Sequence, residues 1–212
     1  IVVYLLQFIG EVPSAGIPVP QNLKELLVGI LIIGVLPGIC EEMLHRGLLL
    51  RAYEKRGSYK AVVFVAILFG MFHFDITNLF GPILLGLIIG YYVIRTNSIF
   101  AGIYAHFLNN TISEIIQYIA RQPQPETLTV STPELISSIA LGTVCLVISA
   151  GLLVLFKKVT ENRAVIVPPI SRTSQDIKAI VTHWPIIIYI VLYFLMTMLS
   201  IFTMVATKYF GS

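Results

Sequence analysis

The sequence contains few charged residues. Only 12% of its 212 residues are Asp, Glu, Lys or Arg, while 57% are hydrophobic. A typical soluble domain contains about 25% charged residues. This shortage, together with the long apolar runs, excludes an ordinary water-soluble globular domain.

The chain also lacks the pattern of a secreted, disulfide-bonded protein. Its two cysteines, Cys40 and Cys145, both lie in apolar runs, where we expect small buried side chains rather than a disulfide. The first ten residues are apolar, but they lack the charged start and the small-residue cleavage site of a signal peptide. We interpret residues 1–20 as the end of a truncated N-terminal helix followed by a loop.

Apolar runs recur along the whole chain. A helix needs about 20 apolar residues to cross roughly 30 Å of hydrocarbon. The predicted spans are residues 22–42, 60–74, 80–94, 98–119, 134–156 and 184–207. The sequence therefore predicts an all-α, polytopic transmembrane bundle of about six to seven helices.

The basic residues are distributed unequally between the two ends of this bundle. If residues 51–60 are cytoplasmic and the chain alternates from there, eleven of the 14 Lys and Arg residues lie on or near the inner side. The three on the outer side are Lys24, Arg121 and Lys208. The positive-inside rule expects this distribution, so nucleic-acid binding is not needed to explain the basic residues. The Pro-rich loop 121–132 would then face outward, and the polar segment 159–182 would face the cytoplasm.

Ionisable and strongly polar residues occur inside three of the predicted spans. They are Glu41 and Glu42 at the inner end of the first span, with Arg46 just beyond them, His73 in the second span, and His106 with Asn110 in the fourth. Such groups are costly inside a membrane and indicate function by default.

The three polar groups lie at similar depths. At about 1.5 Å per helical residue, Glu41 is roughly 15 Å along its helix from Arg51, and His106 is about 16 Å from Arg95. His73 is roughly 20 Å from Lys60 by the same measure. We therefore predict that three helices bring these side chains into one site.

The spacing within each group suggests how the residues cooperate. Residues four apart share a helix face, so Glu42 can pair with Arg46 and His106 can lie beside Asn110. Two adjacent carboxylates in a low-dielectric site cannot both remain comfortably ionised, which favours one of them as a general base. Because Arg46 can neutralise Glu42, we assign the base to Glu41.

The order Glu-Glu-x-x-x-Arg, Phe-x-x-x-His and His-x-x-x-Asn on successive helices resembles the CPBP family of intramembrane proteases. This family includes the type II CAAX prenyl endopeptidases and the Abi-type proteins linked with bacteriocin processing and immunity. The resemblance covers roughly residues 22–120, which makes residues 21–120 the expected catalytic core. Residues 121–212 would add further transmembrane helices.

The resemblance implies a role for each motif residue. Glu41 and His73 would activate the attacking water, His106 and Asn110 would polarise the scissile carbonyl, and Glu42 with Arg46 would support the first motif. The family has been interpreted both as metal-free and as metal-dependent. One Glu and two His could hold zinc (Glu41, His73 and His106) with an open fourth position, but the helical motif His-Glu-x-x-His is absent. We favour hydrolysis without a cofactor.

The function expected from the sequence is that of an intramembrane endopeptidase. Its substrate would be a membrane-associated peptide or protein, of the prenylated CAAX type or similar to a bacteriocin or pheromone. It would be an integral multi-pass protein of a prokaryotic cell membrane, in contact with lipid, with its site opening toward the cytoplasm. A non-enzymatic immunity or partner protein on the same scaffold is the alternative. A transporter using the buried carboxylates is less favoured, because no paired repeats are evident.

Overall fold

The computed structural model describes residues 1–14, 16, 18–121 and 125–210. Within these ranges the fold is all-α, with one pair of two-residue strands, β1 (Val12–Pro13) and β2 (Thr127–Leu128). The eight helices are α1 (Val2–Leu6), α2 (Leu23–Glu54), α3 (Ser58–Met71), α4 (Phe80–Thr96), α5 (Ile99–Ala120), α6 (Thr132–Val159), α7 (Thr173–Val181) and α8 (Trp184–Phe210). The all-α prediction is confirmed, and the six predicted spans correspond to α2–α6 and α8. Residues 122–124 of the predicted outer loop lie outside the described residues.

Three helices, α2, α6 and α8, are long and apolar enough to cross a membrane. Helices α3 and α4 are apolar but shorter. Helix α2 continues to Glu54, twelve residues beyond the predicted span 22–42, because the Glu-Glu-x-x-x-Arg motif and the residues after it remain helical. The motif therefore lies in the interior of a long helix rather than at its end.

Helix α2 changes its winding on both sides of the motif. Residues Ile30–Val35 and Met43–Leu49 are π-helical, and the motif glutamates lie between them in the α-helical turn Leu36–Glu42. Pro37 supplies one physical reason, because it has no amide hydrogen to donate to the carbonyl of Ile33 four residues earlier. Single π turns inside α-helices are frequent at functional sites.

The tightest packing lies in the half of the bundle that contains the loop between α2 and α3. Leu50, Val65, Ile89 and Val93 are at most 2% exposed and form one apolar cluster. Helices α3 and α4 approach closely at Gly90, where an added Cβ would lie 3.0 Å from Val62 Cγ1. The small residues of the Gly86-x-x-x-Gly90 spacing permit this close approach.

The polar segment between α6 and α8 covers this same end of the bundle. The Ser58 amide donates to the Val167 carbonyl, and the Val167 amide donates to Ser58 Oγ. Asp176 of α7 accepts from both Lys60 and Arg56. Hydrogen bonds from Lys60 and then from Ser171 hold the pKa of the Asp176 carboxyl well below its usual range. We call this the basic end, since ten of the eleven basic residues predicted on the inner side lie in or beside its connections; Arg46 is the exception.

Helices α6 and α8 present apolar surface around most of their circumference. None of the residues of α6 is buried, as is expected of an apolar helix surrounded by lipid. Cys40 and Cys145 are free, as expected, but both are exposed rather than buried. The expectation of buried thiols was wrong because α2 and α6 turn these two positions outward, away from the other helices.

Candidate active site

The centre of the site is the buried carboxylate of Glu42. Its Oε1 accepts one hydrogen bond from Arg46 Nη1 at 2.7 Å and another from His106 Nδ1 at 2.9 Å. All three side chains are at most 3% exposed. Arg46 also donates from Nη2 to the Gly86 carbonyl at 3.1 Å, and its guanidinium lies 4.7 Å from the centroid of the Phe69 ring. The predicted Glu42–Arg46 pair is present, and it joins α2 to α4 and α5.

The contact with Glu42 determines which nitrogen of His106 carries a proton. Glu42 Oε1 already accepts from Arg46, so it acts as an acceptor toward His106 as well. Nδ1 of His106 must therefore be the protonated nitrogen. The other nitrogen, Nε2, points to Glu41, whose Oε2 lies 4.0 Å away.

Glu41 is the carboxylate that faces open space. Its side chain is 25% exposed, whereas that of Glu42 is fully buried. Its Oε2 is buried and has no hydrogen-bond partner among the described residues. The two adjacent glutamates thus occupy different environments. One is neutralised by Arg46, and the other is available to a water molecule or a substrate.

His73 lines the same cavity as Glu41 and His106. It lies in the turn after α3, which ends at Met71, and not inside a helix over residues 60–74 as predicted. Its Nδ1 is 3.1 Å from the carbonyl of Phe69, and its ring meets the Phe69 ring edge to face at 5.4 Å. No ion pair within 4.0 Å joins it to Glu41 among the residues described. A water molecule is therefore needed for these two residues to act together.

Asn110 of α5 contacts the π-helical turn Ile30–Val35 of α2. Its Nδ2 donates to the carbonyl of Ile33 at 2.8 Å, the carbonyl that Pro37 cannot serve. Its Oδ1 accepts from Asn109 Nδ2 at 3.0 Å. His106 and Asn110 share one face of α5 as predicted, and both line the cavity.

The cavity has a volume of about 570 Å³ and extends from the motif residues toward one end of the bundle. Glu41, Phe69 and His106 lie at its deep end, while Asn78 and Gln117 lie nearer the loops that connect α3 to α4 and follow α5. This end is opposite to the basic end, and we call it the open end. The sequence predicted an opening on the side of residues 51–60, whereas the residues that line this cavity continue toward the other end. The apolar cluster and the segment before α8 fill the half beside residues 51–60.

The structure does not group the three residues that the sequence suggested for zinc as a metal site. No group of three or more His, Cys, Asp or Glu residues is placed to hold a metal ion in the part of the chain that the structure describes. Nδ1 of His106 contacts Glu42, and Nδ1 of His73 is next to the Phe69 carbonyl. Both contacts leave Nε2 free, which is the usual arrangement of a histidine that binds a metal, so hydrolysis with or without zinc on Glu41, His73 and His106 stays a prediction.

Sequence reasoning gave too little weight to three supporting residues. His45 is buried between Phe69 and Phe72, and its Nδ1 lies 2.8 Å from the Glu41 carbonyl. Gly102 faces the site, where an added Cβ would lie 2.9 Å from Glu42 Oε2. Glu114 is buried beside the cavity. Glu114 could have been found from the sequence, because it continues the spacing of four that begins at His106.

Comparison with known proteins agrees with the motif pattern. Residues 23–112 match the model of a protein family described as type II CAAX prenyl endopeptidase Rce1-like. No curated protein and no solved structure matches the chain. The matched segment extends from the first turn of α2 to the middle of α5 and contains all six motif residues. This part of the chain is therefore similar to the Rce1-like type II CAAX prenyl endopeptidases, in agreement with the family that the three motifs resemble.

Proposed function

We propose that this protein is an intramembrane endopeptidase that hydrolyses a peptide bond near the C-terminus of a membrane-associated peptide or protein. The observation that carries the proposal is the position of Glu41. Its unpartnered Oε2 lies at the deep end of a cavity, 4.0 Å from Nε2 of a histidine that a second glutamate holds in place. An ionisable residue inside a membrane-spanning bundle indicates a functional site by default.

In the proposed reaction, Glu41 accepts a proton from a water molecule that His73 helps to position. The water oxygen then bonds to the carbonyl carbon of the scissile peptide. Glu41 returns the proton to the amide nitrogen as the carbon–nitrogen bond breaks, which leaves a new carboxyl group and a new amino group. Asn110 and His106 would donate to the oxyanion. Because Nδ1 of His106 already donates to Glu42, this role requires a proton on Nε2 as well.

A cleavage assay with an isosteric variant tests the proposal. Purified protein in lipid nanodiscs would be incubated with a panel of prenylated and unmodified hydrophobic peptides, and the fragments would be identified by mass spectrometry. Removing a general base typically costs about 10²–10⁴ in rate, so Glu41→Gln should lose cleavage while it still binds the peptide. Chelator should leave the rate of the unmodified protein unchanged.

The matched control is Glu126→Gln, which removes the same charge from an exposed residue at the open end. Its rate should equal that of the unmodified protein. Cleavage by Glu41→Gln within about twofold of the unmodified rate would contradict the proposed role.

The open end faces away from the cytoplasm in this proposal. The basic end contains most of the Lys and Arg residues, and the positive-inside rule assigns such an end to the cytoplasm. Substrate would then enter from the non-cytoplasmic face of the membrane, between the loop after α3 and the end of α5.

Labelling in intact cells with a membrane-impermeant maleimide tests this orientation. After Cys40 and Cys145 are replaced by Ser, Asn78→Cys should be labelled from outside, and Lys55→Cys at the basic end should be labelled only after lysis. The reverse pattern would return the opening to the cytoplasm without affecting the proposed chemistry.

A further inference from the structure

A row of polar side chains continues along α5 beyond the proposed catalytic residues. Glu114 follows Asn110 by four residues, as Asn110 follows His106, and Gln117 comes three residues later. This spacing keeps all four on one helix face, and all four line the cavity. The row extends from the deep end of the cavity toward the open end. An extended substrate chain lying along α5 would pass each of these side chains.

Glu114 and Gln117 each have a buried side-chain oxygen without a partner among the described residues, and Glu114 is the one of the two that can carry a charge. It is 2% exposed, and its Oε2 makes no hydrogen bond with any described residue. The carboxylate packs against α2 at Gly29, where an added Cβ would lie 2.6 Å from Oε2. Burying an ionised carboxylate without a partner is strongly unfavourable. A cation beside Oε2 would relieve this cost, and the described residues supply none there.

The surroundings of Glu114 leave room for such a group. Glu114 lines both the catalytic cavity and a second cavity of about 630 Å³, which is bordered by Asn22, Lys24 and Glu25. Lys24 is the basic residue in the lining of this second cavity, yet the ion pairs of the described residues do not include it. A cationic group from outside the chain can reach Glu114 from either cavity.

We propose that Glu114 binds a cationic side chain of the substrate, that of Lys or Arg, and thereby helps to determine which peptide bond is cleaved. This inference rests on the proposed peptidase function. Glu114 is eight residues from His106, so it lies about 12 Å farther along the helix. An extended chain advances at most about 3.3–3.6 Å per residue. The cationic residue is therefore three or four positions from the scissile bond.

A positional peptide series tests the proposal. A single Lys would be moved from two to six residues away from the cleaved bond, with norleucine and glutamate in the same positions as controls. Lysine at position three or four should raise kcat/KM about tenfold or more over norleucine, since a hydrogen bond to a charged group is typically worth that factor. The gain should appear mainly in KM. Glutamate in the same position should be cleaved more slowly than norleucine.

Two variants separate Glu114 from general effects of charge. In Glu114→Gln, the ratio of the lysine to the norleucine peptide should fall to about one, whereas Glu126→Gln should retain the full ratio. Thermal unfolding of each purified variant would verify that it is folded. A lysine preference that survives in Glu114→Gln would overturn the proposal.

Binding measured on catalytically inactive Glu41→Gln protein distinguishes this inference from the proposed function. Fluorescence anisotropy with labelled peptides should show the same preference for lysine, and the double variant with Glu114→Gln should lose it. If no peptide is cleaved but this preference is present, the peptidase function fails and the cation site stands. If peptides are cleaved and neither assay shows a preference at any position, the cation site fails and the peptidase function stands.

Discussion

The two halves of the bundle differ in whether their buried carboxylates have hydrogen-bond partners. At the basic end, Glu54 accepts from Arg51 and Ser58, and Asp176 accepts from Lys60, Arg56 and Ser171. Along the cavity that leads to the open end, buried oxygens of Glu41 and Glu114 have no partner among the described residues. The first pattern closes one end of the bundle. The second leaves carboxylate oxygens free to bind water and a substrate, as the proposed hydrolysis requires.

The helices account for this difference. Toward the basic end, α3 and α4 meet at glycines and fill the space between them with apolar side chains. Toward the open end, Pro37 and the π-helical turn Ile30–Val35 interrupt the regular α-helical winding of α2 where it faces α5. Glu42 and Arg46 lie at the boundary, where they tie three helices together beneath the cavity.

The largest effect on stability is expected where a charge is removed from this boundary. Glu42→Gln leaves the buried Arg46 without a counter-charge, and breaking such a pair typically costs about 3–5 kcal/mol in the free energy of unfolding. Glu114→Gln in the cavity should leave that free energy unchanged or raise it, because it removes an uncompensated carboxylate. Reversible unfolding in detergent would compare the two variants. Equal destabilisation would contradict the distinction between the two halves.

Apolar packing provides the next prediction. Leu50 is fully buried at the basic end, so Leu50→Ala should cost about 2–5 kcal/mol. Its neighbour Leu48 is 61% exposed, and Leu48→Ala should change the free energy by less than about 0.5 kcal/mol. The same detergent titration measures both. A similar loss from both variants would mean that the basic end is less tightly packed than the structure indicates.

A methyl group placed between the halves should have a smaller effect on stability but a clear effect on activity. Gly102→Ala would bring a Cβ within 2.9 Å of Glu42 Oε2, and overpacking of this kind typically costs about 1–3 kcal/mol. Because Glu42 holds His106, peptide cleavage should fall mainly through kcat. Gly142→Ala on α6 is the control, since nothing lies within 4 Å of its added Cβ. Unchanged kcat in Gly102→Ala would indicate that Glu42 can shift without disturbing His106.

The smallest predicted effect is a change in melting temperature that depends on pH. It comes from Asp176, whose hydrogen bonds help to close the basic end. Hydrogen bonds from Lys60 and Ser171 depress the folded-state pKa of Asp176, so its contribution to stability is present above the pKa of the unfolded chain, about 3.9. It is lost as the pH falls through the lower, folded value. Asp176→Asn should therefore lower the melting temperature at pH 7, and the difference from the unmodified protein should shrink below about pH 4. Melting curves of both proteins across this pH range measure the difference. A difference in melting temperature that stays constant with pH would contradict a stabilising role for the Asp176 ion pairs.

Local spacing in the sequence was sufficient to predict much of the candidate site. The Glu42–Arg46 pair, the shared face of His106 and Asn110, and the apolar spans all follow from helical periodicity. The bond between Glu42 and His106 could not be predicted, because residues 64 positions apart meet only through the packing of α2 against α5. The position of His73 beyond the end of α3 was missed for a similar reason, since Phe69 and the following turn hold it there.

The sequence by itself determined that this chain forms apolar helices with a few polar groups at matched depths, because periodicity and hydrophobicity act within each helix. Only the tertiary structure decided which end of the bundle is open and which carboxylates remain unpartnered. Both depend on how closely neighbouring helices approach. That distance is set by glycines, a proline and π-helical turns on different helices, whose combined effect appears only when the helices are packed together.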